Sequence, residues 1–126
     1  MKKSLTPLGE TEMEILHHVW EMDKASVSDV HEQILLTRKV AYTTVMTVMK
    51  NLAEKGFLRF EKKGMAYVYS AAIPPDRVKQ NLIGNLIKKV FDGSPAALIQ
   101  TLVSSEQITD NERSELIELI QNMKQE

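Results

Sequence analysis

Residues 26–70 read SVSDVHEQILLTRKVAYTTVMTVMKNLAEKGFLRFEKKGMAYVYS. Ser26-Val27-Ser28 has the character of a short extended piece, with Ser28 the expected cap of a helix whose Val30, Ile34 and Leu35 face inward. Arg38-Lys39-Val40 reads as a turn. A further helix follows, about Ala41 to Lys55, burying Val45, either Val48 or Met49, and Leu52. Gly56 fits the left-handed position that ends a helix. Phe57 to Lys62 and Met65 to Ser70 read as strands around a Lys63-Gly64 turn. Helix, turn, helix and β-hairpin, in that order, make a winged helix-turn-helix. In that fold the second helix of the pair enters a DNA major groove and the hairpin lies against the backbone.

The face of helix 41–55 opposite Val45, Val48 and Leu52 presents Tyr42, Thr43, Thr44, Met46, Thr47, Lys50 and Asn51. Threonine hydroxyls bond base edges or phosphates, and their methyl groups pack on thymine methyls. Asparagine pairs with adenine, and lysine reaches guanine or phosphate. Threonine is a mediocre helix former, so a run of exposed threonines weakens the helix with no structural return. Arg38 and Lys39 in the turn, and Arg59, Lys62 and Lys63 in the hairpin, are placed for phosphates, which position a protein without reading sequence. Tyr67 and Tyr69 alternate with Val68 and share a sheet face, where both are expected to close the core.

The chain has 126 residues, 43% hydrophobic and 26% charged, a normal globular balance for one domain or a small domain with an appendage. No run approaches the roughly 18 apolar residues of a membrane helix. The start, Met1-Lys2-Lys3-Ser4-Leu5-Thr6-Pro7, lacks the apolar core of a signal peptide, so a cytoplasmic location is expected. The absence of cysteine excludes disulfides, thiol catalysis and thiolate metal sites. Net charge is −1, but it is unevenly spread. Residues 1–73 hold 10 Lys+Arg against 9 acids, and residues 74–126 hold 6 against 8. Between 38 and 63 there are 7 basic residues against Glu54 and Glu61. A local basic face on a nearly neutral chain suits a DNA-binding element.

Upstream, Thr6-Pro7 is a good helix start, and Leu8, Ile15, Leu16, Val19 and Trp20 form its apolar stripe. Downstream, Pro74-Pro75 stops the sheet and the chain becomes helical. Val78, Leu82, Leu86, Val90 and Phe91 make one stripe. Asp92 to Pro95 is a break, and Ala96 to Val103 a short helix. Thr109 and Glu112 form a capping box for a last helix carrying Leu116, Ile117, Ile120 and Met123. Three helices in about 50 residues are too thin to bury this surface alone, so it is expected to close against a second copy. The expected domains are 1–73, a winged helix, and 74–126, a helical dimerisation domain. Val78, Leu82, Leu86, Val90, Phe91, Leu116, Ile117 and Ile120 are the candidate interface.

Catalytic patterns are missing: there is no G-x-S-x-G, H-E-x-x-H or P-loop sequence. Glu14 and His18 are four apart, His17 is adjacent and His31 lies on another helix, but no third ligand has convincing spacing. No cofactor and no metal are expected, and the chain is not read as an enzyme.

Leu5-Thr6-Pro7-Leu8-Gly9-Glu10-Thr11-Glu12-Met13-Glu14-Ile15-Leu16 with Val19-Trp20 resembles the first helix of BlaI/MecI repressors. Tyr42-Thr43-Thr44-Val45-Met46-Thr47, with Leu52 and Lys55-Gly56, resembles their recognition helix, and Tyr67-Val68-Tyr69 their second wing strand. The resemblance implies a homodimeric repressor on a palindromic operator, with the tail as dimerisation module. It implies DNA contact by Thr44 and Thr47, while Met46, Lys50 and Asn51 fall where members vary and would set the operator read. Copper-responsive relatives carry a tail cysteine pair that this chain lacks. Penicillinase-type relatives are cleaved in the tail by a membrane sensor protease, at a place matching Thr101-Leu102. The sequence thus leads to a DNA-binding repressor acting by occlusion, released by proteolysis or another signal that weakens the dimer. Its rivals are a winged-helix interaction module without specific DNA binding and a metal-responsive regulator using His18 and His31.

Overall fold

The computed structural model describes residues 8–123; the expected Thr6-Pro7 helix start lies outside them. The order is α1 (Glu10–Met22), β1 (Lys24–Ser26), α2 (Val27–Leu35), α3 (Tyr42–Glu54), β2 (Leu58–Lys63), β3 (Ala66–Ala71), α4 (Pro75–Val90), α5 (Pro95–Val103) and α6 (Asp110–Met123). This is a winged helix-turn-helix followed by helices. By compactness it divides into a unit up to Gly84 and a second from Asn85. No helix of the described residues is long and apolar enough to cross a membrane.

In the first unit, α1 begins at Gly9, whose N–H donates to Glu12 Oε1 at 2.9 Å. Its Ile15, Leu16 and Val19 are fully buried, and Leu8, just ahead of it, joins them. Asp23, at φ 69°, turns the chain out of α1 into β1. The cap of α2 is Ser26, not Ser28. Asp29 N–H donates to Ser26 Oγ at 3.1 Å, and Ser26 N–H donates to Asp29 Oδ2 at 3.0 Å. The reciprocal pair needs an acceptor three residues after the cap, and Asp29 supplies it only for Ser26. The same Ser26 ends β1, so the extended piece lies at Lys24–Ser26, and Val27 and Ser28, expected to be extended, are the first turn of α2. Val30 and Ile34 are buried, but Leu35 is exposed at 47% because it lies off the stripe they form.

α3 buries Val45, Met49 and Leu52 completely, so of the two candidate positions it is Met49 that reaches the core centre. Its end is a Schellman motif: Phe57 N–H donates to Leu52 O at 2.9 Å and Gly56 N–H to Ala53 O at 3.1 Å. Gly56 adopts φ +90°, as that motif requires. The sheet order is β1-β3-β2, all antiparallel. The hairpin turn is Gly64-Met65, since Lys63 pairs with Ala66.

Val78, at 3% exposure, belongs to this same core, and Leu82 packs on its edge. Both were expected at a dimer interface. Their burial within one chain removes Val78 from any interface and leaves Leu82 only part of its surface. The first unit runs on past residue 73 for this reason, because the start of α4 closes the core. Lys79 Nζ sits 5.9 Å from the Trp20 ring, a cation–π contact between α4 and α1.

In the second unit, Ser94 Oγ accepts from Ala97 N–H at 3.1 Å to cap α5. Thr109 and Glu112 make the expected box: Thr109 N–H donates to Glu112 Oε1 at 2.8 Å and Glu112 N–H to Thr109 Oγ1 at 3.1 Å. Arg113 donates to the carbonyls of Val103 and Ser105, satisfying the open end of α5. Yet neither α5 nor α6 has a fully buried side chain. Ile117, Leu119, Ile120 and Met123 are all exposed.

The capping geometry is directly testable. Ser26→Ala should lower unfolding free energy by about 1 kcal/mol, and Ser28→Ala by a few tenths at most, in urea titrations followed by circular dichroism.

Candidate nucleic-acid interface

The three buried residues of α3 fix its rotation, and the opposite face is accordingly open. Tyr42, Thr43, Thr44, Met46, Thr47, Lys50 and Asn51 are all exposed. A groove lies between this face and the hairpin. Tyr42, Met46, Thr47, Lys50 and Asn51 line its helix side. Phe60, Met65 and Tyr67 line the hairpin side, and Ser26 and Ser28 also contribute. Thr43 and Thr44 stand outside the groove, on the first turn of the helix.

The turn before α3 is held by specific contacts. Thr37 Oγ1 donates to Ile34 O at 3.1 Å. His31 Nε2 donates to Val40 O at 2.8 Å, and its ring meets Tyr42 edge to face at 5.6 Å. His31 thereby steadies the entry to α3. Among the described residues no three His, Asp or Glu side chains converge as a metal site would need.

The hairpin divides the expected phosphate contacts between its two faces. Side chains alternate along a strand, and directly paired residues share a face. Phe60 pairs with Tyr69 and Lys62 with Tyr67, so these four lie with buried Leu58 on the side towards α3. Arg59 pairs with Ser70 and Lys63 with Ala66, on the other side. Tyr69 closes the core as expected, and burial, then the Tyr67 and Tyr42 hydroxyls, push its phenol pKa up. Tyr67 does not: it is 46% exposed and meets Phe60 edge to face at 5.2 Å. The strand alternation was right, but the hairpin runs beyond the helices, so its outer half has no core to face.

One expected basic contact, Arg38, is already engaged, and so is Lys55 at the end of α3. Arg38 Nη2 lies 2.6 Å from Glu14 Oε1, with Nε 3.4 Å from Oε2. Lys55 Nζ lies 2.7 Å from Glu12 Oε2. The acids of α1 were not legible as partners, because their separation in sequence from Arg38 and Lys55 is long. The Arg38 hydrogen bond holds the Glu14 carboxyl below its usual range and raises the Arg38 guanidinium further. Glu12 is pushed up by burial, but the Gly9 N–H and Lys55 outweigh this and leave it lowered. Lys39, Lys50, Lys62 and Lys63 are exposed and form no ion pair among the described residues.

An exposed polar helix face, a preceding turn and a projecting basic hairpin define the class: a winged helix-turn-helix with appended helices. Residues 8–122 match the penicillinase repressor family, and the chain belongs to it. It is 32% identical over 98 residues to the transcriptional regulator BlaI of Mycobacterium tuberculosis, covering 75% of this chain and 71% of that one. It is 26% identical over 109 residues to the methicillin resistance regulatory protein MecI of Mammaliicoccus sciuri, covering 86% and 89%. Its fold resembles the solution structure of the DNA-binding domain of the repressor BlaI. That likeness has a TM-score of 0.51 at 23% identity, over 59% of this chain and 90% of that one.

The ion pairs give a pH signature with a definite sign. Both carboxylates have depressed pKa values in the folded chain, so their stabilisation is present above the unfolded value, about 4.3, and fades as pH falls through the folded values. A Glu12→Gln, Glu14→Gln chain should therefore start lower in Tm at neutral pH and decline less steeply than the parent below about pH 4.3, in calorimetric scans.

Proposed function

We propose that this chain is a sequence-specific transcriptional repressor that binds a palindromic operator as a homodimer and acts by occlusion. The observation that carries this reading is the α3 face. Seven side chains suited to bases and phosphates stand exposed beside a basic hairpin, on a family fold whose named relatives are regulators. Thr44 and Thr47 make shared contacts, while Met46, Lys50 and Asn51 set which operator is read. Lys39, Lys62 and Lys63 anchor phosphates. Arg59 and Arg38 add to this, Arg38 through the guanidinium edge its bond to Glu14 leaves open. The chemistry is binding, not catalysis, and the site of action is the cytoplasm, where the DNA is.

Dimerisation rests on the second unit. Ile117, Leu119 and Ile120 are exposed apolar residues on α6, which has no fully buried side chain, and Val90 is exposed at the end of α4. Leu86, Phe91 and Leu116 are half-buried and border the same unit. Closing each large side chain against a second copy stabilises by roughly 1.5–3 kcal/mol. Two half-sites about one helical turn of DNA apart, or a multiple of it, are then held together. Release follows from weakening the dimer, with a membrane sensor protease as the agent the family resemblance suggests. Thr101-Leu102 lies in the last turns of α5, so cleavage there requires that end of the helix to open first.

Selection of genomic fragments by the purified full chain tests the reading. A palindrome should be recovered, and its affinity should fall with a log–log salt slope of about −0.9 per phosphate contacted. Lys50→Ala should cost roughly tenfold on that operator. Recovery of no preferred sequence would leave a protein-interaction module instead. Separately, Ile117→Asp with Ile120→Asp should convert dimer to monomer in sedimentation and lower operator affinity by about 10²-fold or more.

A further inference from the structure

Met65 stands at the tip of the hairpin and is 98% exposed, the highest value among the exposed large hydrophobic residues. Nothing in the turn demands it. The register leaves Gly64-Met65 as a two-residue turn. Gly64 has φ +63° and Met65 is not in the left-handed region, the pattern of a turn whose glycine sits first. Glycine is required at 64, whereas at 65 a polar side chain would serve and would leave no apolar surface in water.

The position of the tip supplies the reason. Met65 lines the same groove as Thr47, Lys50 and Asn51, so it lies on the exposed side of α3. The outer half of the hairpin is exposed along both strands, from Arg59 to Lys63 and at Ala66 and Tyr67. At about 3.4 Å per residue, such strands carry the tip about 20 Å from the hairpin's base. A major groove is about 12 Å wide. With α3 in that groove, a hairpin of this length is long enough to cross one sugar–phosphate strand towards the neighbouring minor groove. Lys62 and Lys63, both exposed and on opposite hairpin faces, flank the tip with positive charge where the groove's phosphate rims pass.

We propose that Met65 is a specificity-determining residue that enters the minor groove beside each half-site as an apolar wedge. This rests on the operator-binding reading above. Methionine is unbranched and adaptable, which suits insertion against sugars and base edges. Apolar wedges of this kind partly unstack a base step. Pyrimidine–purine steps such as TA and CA unstack most readily. The chain therefore discriminates sequence at positions flanking the half-site that α3 never touches.

The test is competitive binding of the full chain to its selected operator with the flanking base pairs randomised. The parent should prefer a pyrimidine–purine step under the hairpin tip. Met65→Ala should lose about tenfold on that flank and flatten the preference, with its salt slope unchanged, and Met65→Leu should restore the preference. Because Met65 is exposed, the variants should match the parent in Tm, so loss of fold does not enter. Retention of the parent's flank preference by Met65→Ala, or an equal loss on every flank, would overturn the wedge while leaving the repressor reading intact. Failure of the parent to select any operator would overturn the repressor reading, and the wedge with it.

Discussion

The burial of Val45, Met49 and Leu52 is the constraint on which the rest of the molecule depends. They recur at i, i+4 and i+7, one stripe of a helix, and each is fully buried. That stripe locks the rotation of α3 about its axis. A rotation by one residue would turn Thr44, Val48 and Asn51 inward, trading two apolar side chains for polar ones without partners. Burying an unbonded hydroxyl or amide costs about 1–3 kcal/mol each. The core therefore selects the reading face as well as supporting it. The Schellman end at Gly56 then sets the direction in which the hairpin leaves, which places the wing beside that face.

Charge is arranged with similar economy. A chain of net charge −1 can present a basic surface because its acids are used elsewhere. Glu12 and Glu14 on α1 hold Lys55 and Arg38. These pairs tie the first helix to the end of α3 and to the turn before it, so they orient the reading element. They also subtract from the charge offered to DNA. The number of counterions released on binding follows the phosphates contacted, and basic residues already paired with carboxylates contribute less to it. The lysines at 39, 50, 62 and 63 carry exposed charge outside these pairs, and the arginine at 38 serves architecture first.

Local signals were legible and long-range ones were not. The periodicity of α3, the glycine that ends it, the alternation of the hairpin and the Thr109–Glu112 box all follow from spacings of seven residues or fewer. The cap of α2 went astray because Ser26 and Ser28 are both good caps, and only the acceptor at Asp29 decides between them. Val78 was read as interface because its own helix is amphipathic; that its stripe serves the winged-helix core depends on where α4 begins in space. The groove wall of Phe60 and Tyr67 was hidden for a related reason. Alternation gives the face of a strand, but not how far the strand extends beyond the helix that covers it. The Glu14–Arg38 pair joins residues 24 positions apart and has no local signature.

The contrast between the two units bears on how a repressor of this shape could be released. The first unit closes its own core: among the described residues, fourteen hydrophobic side chains from Leu8 to the start of α4 are buried within one chain. In the second unit the helices are well capped, yet α5 and α6 bury none fully. Capping specifies where a helix begins, but most helical stability in proteins comes from packing of an apolar face. Under the dimer reading, folding of the tail and association are then a single equilibrium, set by protomer concentration. Under that same reading, a signal acting on the tail would shift the equilibrium without touching α3. Each winged helix would keep its reading face and lose only the advantage of binding two half-sites at once.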